Sequence, residues 1–312
     1  MENLVLSFNV VAPMVLMMVM GVILRKFNLL SDTTCASLNG LVYKIFIPIS
    51  IFCNVYAGNL EDMVDFRPIL FAAVALTGIY VVMMIVVKYI EPERTRRPVM
   101  VQAVTRSNFV IFGVPVATAL LGDGNIAGIV LMVVLLAPYY NFLSVLAFSL
   151  HGEHKPNFKK VLKDIVTNPI IIASLIALVF LLCKIPLPQF VFKTLDSFGD
   201  MASPIAFMIL GATFSFKMSK GVARAVFISV GTRLVIVPAL LITLSVLLGF
   251  RGVYLIGLVT LFGSPTAVAS YAMATHLGGD GETASKIIVY SSCFSMITMF
   301  CIILILKTLC II

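Results

Sequence analysis

Phe112-Gly113-Val114-Pro115-Val116-Ala117-Thr118-Ala119 and, 150 positions later, Phe262-Gly263-Ser264-Pro265-Thr266-Ala267-Val268-Ala269 share five of eight residues, each copy deep in an apolar run. A Gly and a Pro two residues apart inside a membrane span leave backbone groups without helical partners. Hydrocarbon does not tolerate such groups unless protein covers them or they line a wet cavity. A matched pair of interruptions in two halves of a chain points to a transporter's binding site. The pair predicts breaks in two spans, one near Pro115 and one near Pro265.

The rest of the chain reads as membrane. Of 312 residues 61% are hydrophobic and 12% charged, with mean hydropathy +1.11. A span needs roughly 20 apolar residues, and ten such runs are predicted: 7–24, 37–57, 68–89, 98–121, 125–149, 162–182, 194–215, 222–248, 253–276 and 284–307. The first run lacks a basic n-region and is expected to stay rather than be cleaved. The six cysteines show no CxxC spacing, so neither disulfides nor a cysteine metal site is expected.

Counted against ten spans, fourteen Lys and Arg flank the side of the first loop, Lys155, Lys159, Lys160 and Lys217 among them, and five flank the other. The positive-inside bias then puts both termini outside the cytoplasm of a cell (plasma) membrane protein. The net charge of +8 follows from this topology. The basic clusters around Glu91–Arg97 and Lys155–Lys163 are short, flank spans and lack interleaved aromatics, which argues against nucleic acid.

The repeat extends beyond its best eight residues. Val11-Ala12-Pro13 pairs with Thr167-Asn168-Pro169, and Ile47-Pro48-Ile49 with Ser203-Pro204-Ile205. Each unit has five spans, and an odd number forces the second copy to enter the membrane in the opposite sense. The expected fold is therefore all-α: ten transmembrane helices in two inverted five-helix repeats, residues 1–150 and 151–312, with spans four and nine broken at a crossover. Half-helix N-termini at such a crossover favour an anion, while the opposite half-helix ends offer carbonyl oxygens that leave a cation site open. Gly21, Gly78, Gly211, Gly231 and Gly257 are expected where helices approach closely.

With Asn108-Phe109-Val110-Ile111-Phe112-Gly113-Val114-Pro115 and Ser264-Pro265-Thr266-Ala267-Val268-Ala269-Ser270-Tyr271, the chain resembles the auxin efflux carrier family over essentially its whole length. That family includes plant auxin carriers and bacterial carriers of malonate and similar anions. The resemblance implies a scaffold of spans one, two, six and seven and a moving unit of spans three to five and eight to ten. It places substrate beside the crossover of Gly113, Pro115, Gly263 and Pro265. It also implies that Asn108, seven residues before Pro115, and Asn168, directly before Pro169, contact a substrate carboxylate. An amide supplies donors and an acceptor without carrying a charge through the membrane. The competing reading is that each Asn bonds a backbone group freed by the neighbouring proline.

Four ionisable residues are expected inside spans: Lys44, Arg106, Asp200 and Arg233. A charge there costs ~2.5–3.5 kcal/mol on insertion scales, so each needs a partner or water. Arg106, two residues before Asn108, either binds the carboxylate in a two-pronged way or reaches the interface along its helix. Asp200 either carries a coupling proton or pairs with Lys44 or Arg233. Arg233 is its counter-ion or a lock between domains.

Enzyme chemistry finds no motif: His151 and His154 sit in a basic loop, His276 ends a span, and HExxH, GxSxG and phosphate-loop patterns are absent. No cofactor or metal is expected. The expected function is secondary transport of a small carboxylate, potential-driven or coupled to protons or sodium, with homodimerisation left open. A cation–proton exchanger of related architecture and a non-transporting membrane sensor are the alternatives.

Overall fold

The computed structural model describes residues 2–57, 65–121, 127–151, 163, 166–214 and 218–312. Lys155, Lys159, Lys160 and Lys217, which entered the charge count, and His154 of the basic loop lie outside the described residues. The chain is all-helical, as a bilayer demands of a backbone that must satisfy itself. Helices α1 (Glu2–Lys26), α2 (Asp32–Leu41) and α3 (Ile47–Tyr56) come first, then α4 (Arg67–Ile90), α5 (Arg97–Thr105), α6 (Val114–Leu121) and α7 (Ala127–His151). The second half holds α8 (Pro169–Leu182), α9 (Gln189–Asp200), α10 (Ala202–Thr213), α11 (Lys220–Gly231), α12 (Val237–Leu247), α13 (Gly252–Gly263), α14 (Ala269–His276) and α15 (Gly281–Thr308).

Among the described residues, five continuous rods are long and apolar enough to cross a membrane: Asp32–Tyr56, Arg67–Ile90, Leu131–His151, Lys220–Leu247 and Gly281–Thr308. The chain is thus a multi-pass membrane protein. Large aliphatic side chains that point away from the core, such as Leu70, Val74 and Val82 on α4, face the lipid rather than water.

Local signals start the helices where side chains can serve the first free N–H groups. Ser31, Asn168, Ser219 and Asp280 accept bonds from Thr34, Ile170, Val222 and Thr283 as N-caps of α2, α8, α11 and α15. Pro68, Pro98 and Pro169 stand in first turns, where the missing N–H is not needed.

Three other prolines follow π-helical turns. The turns Val42–Phe46, Phe109–Gly113 and Thr232–Ile236 each end two residues before Pro48, Pro115 or Pro238. Ile47, Val114 and Val237 donate to carbonyls five residues back, at Val42, Phe109 and Thr232. A π turn shifts the hydrogen-bond ladder by one residue ahead of each proline, and the helical stretch continues past it.

This corrects the expected position of the first break. Pro115 lies inside a helical stretch, and the chain unwinds instead at Arg106–Asn108, between α5 and the π turn. The second break falls where expected, at Ser264–Val268 around Pro265. The eight-residue match therefore aligns a segment beyond the first break with one astride the second. The two copies nevertheless meet: a Cβ on Gly113 would come 3.0 Å from Ser264 Oγ and 3.2 Å from the Thr260 carbonyl oxygen.

Packing groups helices from both halves. Helix α1 lies along α10, and α3 along α8 and α9; α5 packs on α4, α7, α11, α14 and α15. The α1–α10 seam is close because Gly21 faces the Met208 carbonyl and Gly211 the Met18 carbonyl. Gly257 rests against Met132, but Gly78 and Gly231 have open space where a side chain would be, so their expected role in close approach is not found.

At the polar edge, Arg96 Nε meets Asp280 Oδ2 at 2.8 Å and its Nη1 lies 3.8 Å from buried Glu91, while Asp280 N–H donates to the Thr95 carbonyl. This ties the α4–α5 connection to the start of α15. Burial by itself would raise the Asp280 carboxyl, but the Thr283 N–H and Arg96 bonds outweigh it and hold the group below its ordinary value.

Two outcomes are expected in thermal unfolding of the detergent-solubilised protein. Gly211→Ala lowers the midpoint by several degrees, since its Cβ overlaps backbone that cannot yield, whereas Gly40→Ala, with nothing within 4 Å, is neutral or slightly stabilising. Asp280→Asn keeps the cap but loses the ion pair, at about 1–2 kcal/mol. Because the folded carboxyl titrates below its unfolded value, that deficit is full and constant from about pH 8 to pH 5 and fades as pH falls below about 4.

Candidate functional site at the helix crossover

Two half-helices end against each other. Helices α5 and α13 bring their C-terminal ends together, and the π turn at Phe109 and α14 start from the same place. Between them the unwound strands pair in antiparallel fashion, Ser107 opposite Thr266. Asn108 N–H donates to the Pro265 carbonyl at 2.8 Å and Ala267 N–H to the Arg106 carbonyl at 3.1 Å. Side chains complete the pairing: Ser107 Oγ donates to the Leu261 carbonyl at 2.7 Å, and Thr266 Oγ1 to that of Ala103 at 2.8 Å.

Arg233 closes the account. It is fully buried in the π turn after α11, and its guanidinium donates from Nε to the Ser264 carbonyl at 2.8 Å, from Nη1 to Val104 at 3.0 Å and from Nη2 to Leu261 at 2.9 Å. Each helix C-terminus carries roughly half a negative charge, so two of them together offset one cation. Arg233 is therefore a clamp on both breaks. Neither it nor Lys44 makes an ion pair with Asp200 among the described residues. Asp200 is exposed at the end of α9 and Lys44 is exposed in the first π turn, so the expected pairing is not found.

Beside the crossover lies a cavity of about 100 Å³. Arg106, Ser107 and Asn108 line one side, Tyr140 and Asn141 of α7 another, and Ser50 and Asn54 of α3 face them. Ile47, Ile51, Val55, Val133 and Ala206 supply apolar wall. No Asp or Glu is among these described lining residues. Val110 and Ile111, in the first turn after the break, bring helix N-terminal amides to the same space.

Arg106 differs from Arg233 in its surroundings. Its residue is 3% exposed, its Nη1 makes one long contact of 3.5 Å to Ser270 Oγ, and its Nε has no partner. Asn108 Nδ2 and Asn141 Oδ1 are likewise buried without partners. An unpaired buried polar group costs about 1–3 kcal/mol, more when charged, and three of the residues lining this one cavity carry such a group.

Asn168 stands apart. Its Oδ1 accepts from Ile170 N–H at 3.0 Å and its Nδ2 donates to Tyr43 Oη at 2.8 Å, and it does not line the cavity. The Tyr43 ring stacks on His276 with centroids 4.3 Å apart, and Asn39 Nδ2 donates to Thr275 Oγ1 at 2.6 Å. These contacts join the α2–α3 rod to α14, one to four turns before Ile47, Ser50 and Asn54 reach the cavity. Gly113 packs beside the second break rather than in the cavity, and Gly263 ends α13 against Met299.

Sequence reasoning missed Asn54, Asn141 and Tyr140 because it searched spans for ionisable groups and proline neighbours. An amide within an apolar span was the available signal.

Unwound helices inside an apolar layer, a clamp that holds them open and a polar cavity beside them define a membrane transporter. The chain belongs to the membrane transport protein family, of auxin efflux carrier type: the family described as Membrane transport protein matches residues 6–156 and 156–303. An uncharacterized transporter of Methanocaldococcus jannaschii is 23% identical over 310 residues, covering 94% of this chain and 97% of the relative. Another, from Methanothermobacter thermautotrophicus, is 23% identical over 297 residues, covering 94% and 96%. The family transports; it does not catalyse a chemical reaction.

Arg233→Met removes the shared donor of three buried carbonyls and is expected to lower stability by about 2–5 kcal/mol, with Arg233→Lys intermediate because an ammonium lacks the planar fork. Thermal melts in detergent measure this. A variant melting like wild type would mean the carbonyls find other donors.

Proposed function

We propose that the chain is a secondary transporter of a small carboxylate, bound beside the crossover and carried by alternating access. The observation that supports this most is Arg106: a buried guanidinium with an unpartnered Nε, lining a cavity without a described acid. Asn108 Nδ2 adds a second donor, and the amides at the start of the π turn add partial positive charge. A carboxylate accepts bonds from all of these and balances the guanidinium; a metal ion or ammonium would be repelled by it. Of the expected contacts, Asn108 and Arg106 are assigned to substrate, and Asn168 to holding Tyr43 in place.

The helix packing supports the moving parts. Spans one, two, six and seven correspond to α1–α3 and α8–α10, which pack chiefly on one another, and the other helices gather around α5 and α13. In this reading residues 1–150 and 151–312 are inverted five-span repeats, each with one unwound span, and both termini are non-cytoplasmic. The contacts of Tyr43 with His276 and of Asn39 with Thr275 then shut the cytoplasmic side of the cavity, and transport requires them to part. Asp200 and Lys44 lie away from the cavity and are not assigned to substrate or ion coupling. The membrane potential alone supplies ~2.3 kcal/mol per charge at 100 mV, enough for roughly fifty-fold accumulation of a monovalent anion.

Proteoliposomes with an imposed potential test the reading. Arg106→Gln and Asn108→Ala are each expected to cut carboxylate uptake at least about tenfold while melting within a few degrees of wild type. Undiminished uptake in both variants, or flux of sodium in place of any anion, would sink it.

A further inference from the structure

We infer that the carried carboxylate bears a hydroxyl on the carbon next to its carboxyl group and a short apolar tail, and that Asn141 reads the hydroxyl. This rests on the carboxylate reading of the cavity and narrows it to short-chain hydroxy monocarboxylates.

Three residues that line the cavity each carry a buried side-chain atom without a partner, and the three atoms are not alike. Arg106 Nε and Asn108 Nδ2 are donors, whereas Asn141 Oδ1 is an acceptor. The residues are 3%, 4% and 1% exposed. A carboxylate has only acceptor oxygens, so it satisfies the two donors and leaves the Asn141 oxygen as it was, now facing negative charge. The occupant must therefore bring a donor of its own beside its carboxylate.

A hydroxyl is that donor in its smallest neutral form. Arg106 is the one cation lining the space among the described residues; the remaining wall combines aliphatic Ile47, Ile51, Val55, Val133 and Ala206 with the uncharged polar groups of Ser50, Asn54, Tyr140 and Ser203. A second carboxylate would be buried there without a counter-charge, which the interior opposes strongly. About 100 Å³ admits a molecule of only a few carbon atoms. The chemistry that fits is one carboxylate, one adjacent hydroxyl and a methyl-sized tail.

The test compares 2-hydroxypropanoate with propanoate, which share a skeleton and differ by the hydroxyl. Each competes for uptake of radiolabelled 2-hydroxypropanoate into proteoliposomes containing the full chain. Wild type is expected to prefer the hydroxy acid about 10- to 100-fold, the span set by leaving one buried acceptor unmet. Asn141→Leu, close in volume and without polar atoms, should bring the ratio near one by weakening the hydroxy acid and leaving propanoate where it was. A generally damaged protein would lose both acids alike, so the ratio isolates the contact. Equal competition by the two acids in wild type overturns the inference and leaves the carboxylate reading standing. A preference that survives in Asn141→Leu removes Asn141 from the role. Binding of neither acid, nor of any other carboxylate, in wild type overturns the carboxylate reading itself and this inference with it.

Discussion

An amide or carbonyl stranded in hydrocarbon is the constraint around which this molecule is organised. Two helices stop in the middle of an apolar layer, and each stop frees groups that water would normally serve. The protein answers with one guanidinium whose three bonds reach Val104, Leu261 and Ser264, with two hydroxyls from Ser107 and Thr266, and with a strand-like exchange between the breaks. Once those groups are served, the amides and side chains on the far side of the breaks are left to face a cavity. The cavity wall is what remains after the backbone has been satisfied.

The two buried arginines make the division plain. Arg233 spends its donors on carbonyls and two helix ends, so its charge is neutralised by the fold. Arg106, on the unwound segment itself, has a hydroxyl at 3.5 Å and an idle Nε. Identical side chains beside one crossover are thus used differently, one bonded into the architecture and the other left beside the cavity.

Much of this was legible in the residues. The apolar runs, the paired proline positions and the two Gly-Pro segments pointed to an interrupted multi-pass helical protein, and Arg106 with Asn108 stood out from their setting. The position of the first break was not legible. Pro115 announces a local disturbance, but a π turn absorbs it, and the chain opens at Arg106–Asn108 because Thr266 and Pro265 are there to pair with it. Arg233 was visible as a charge needing a partner. Its partners are main-chain carbonyls, which every residue carries and no sequence pattern marks. Asp200, one of the partners open to it in the sequence, is exposed and plays no part in that clamp.

The pairing of Ser107 with Thr266 carries a consequence for biogenesis. The first break emerges from the ribosome long before Arg233, Leu261 and Pro265 exist, so α5 is inserted with carbonyls that have no protein partner. Contacts so distant in sequence form late and slowly. Until the second break arrives, the carbonyls freed at the first lack the donors of Arg233 and Thr266, and the cavity beside them cannot take its shape.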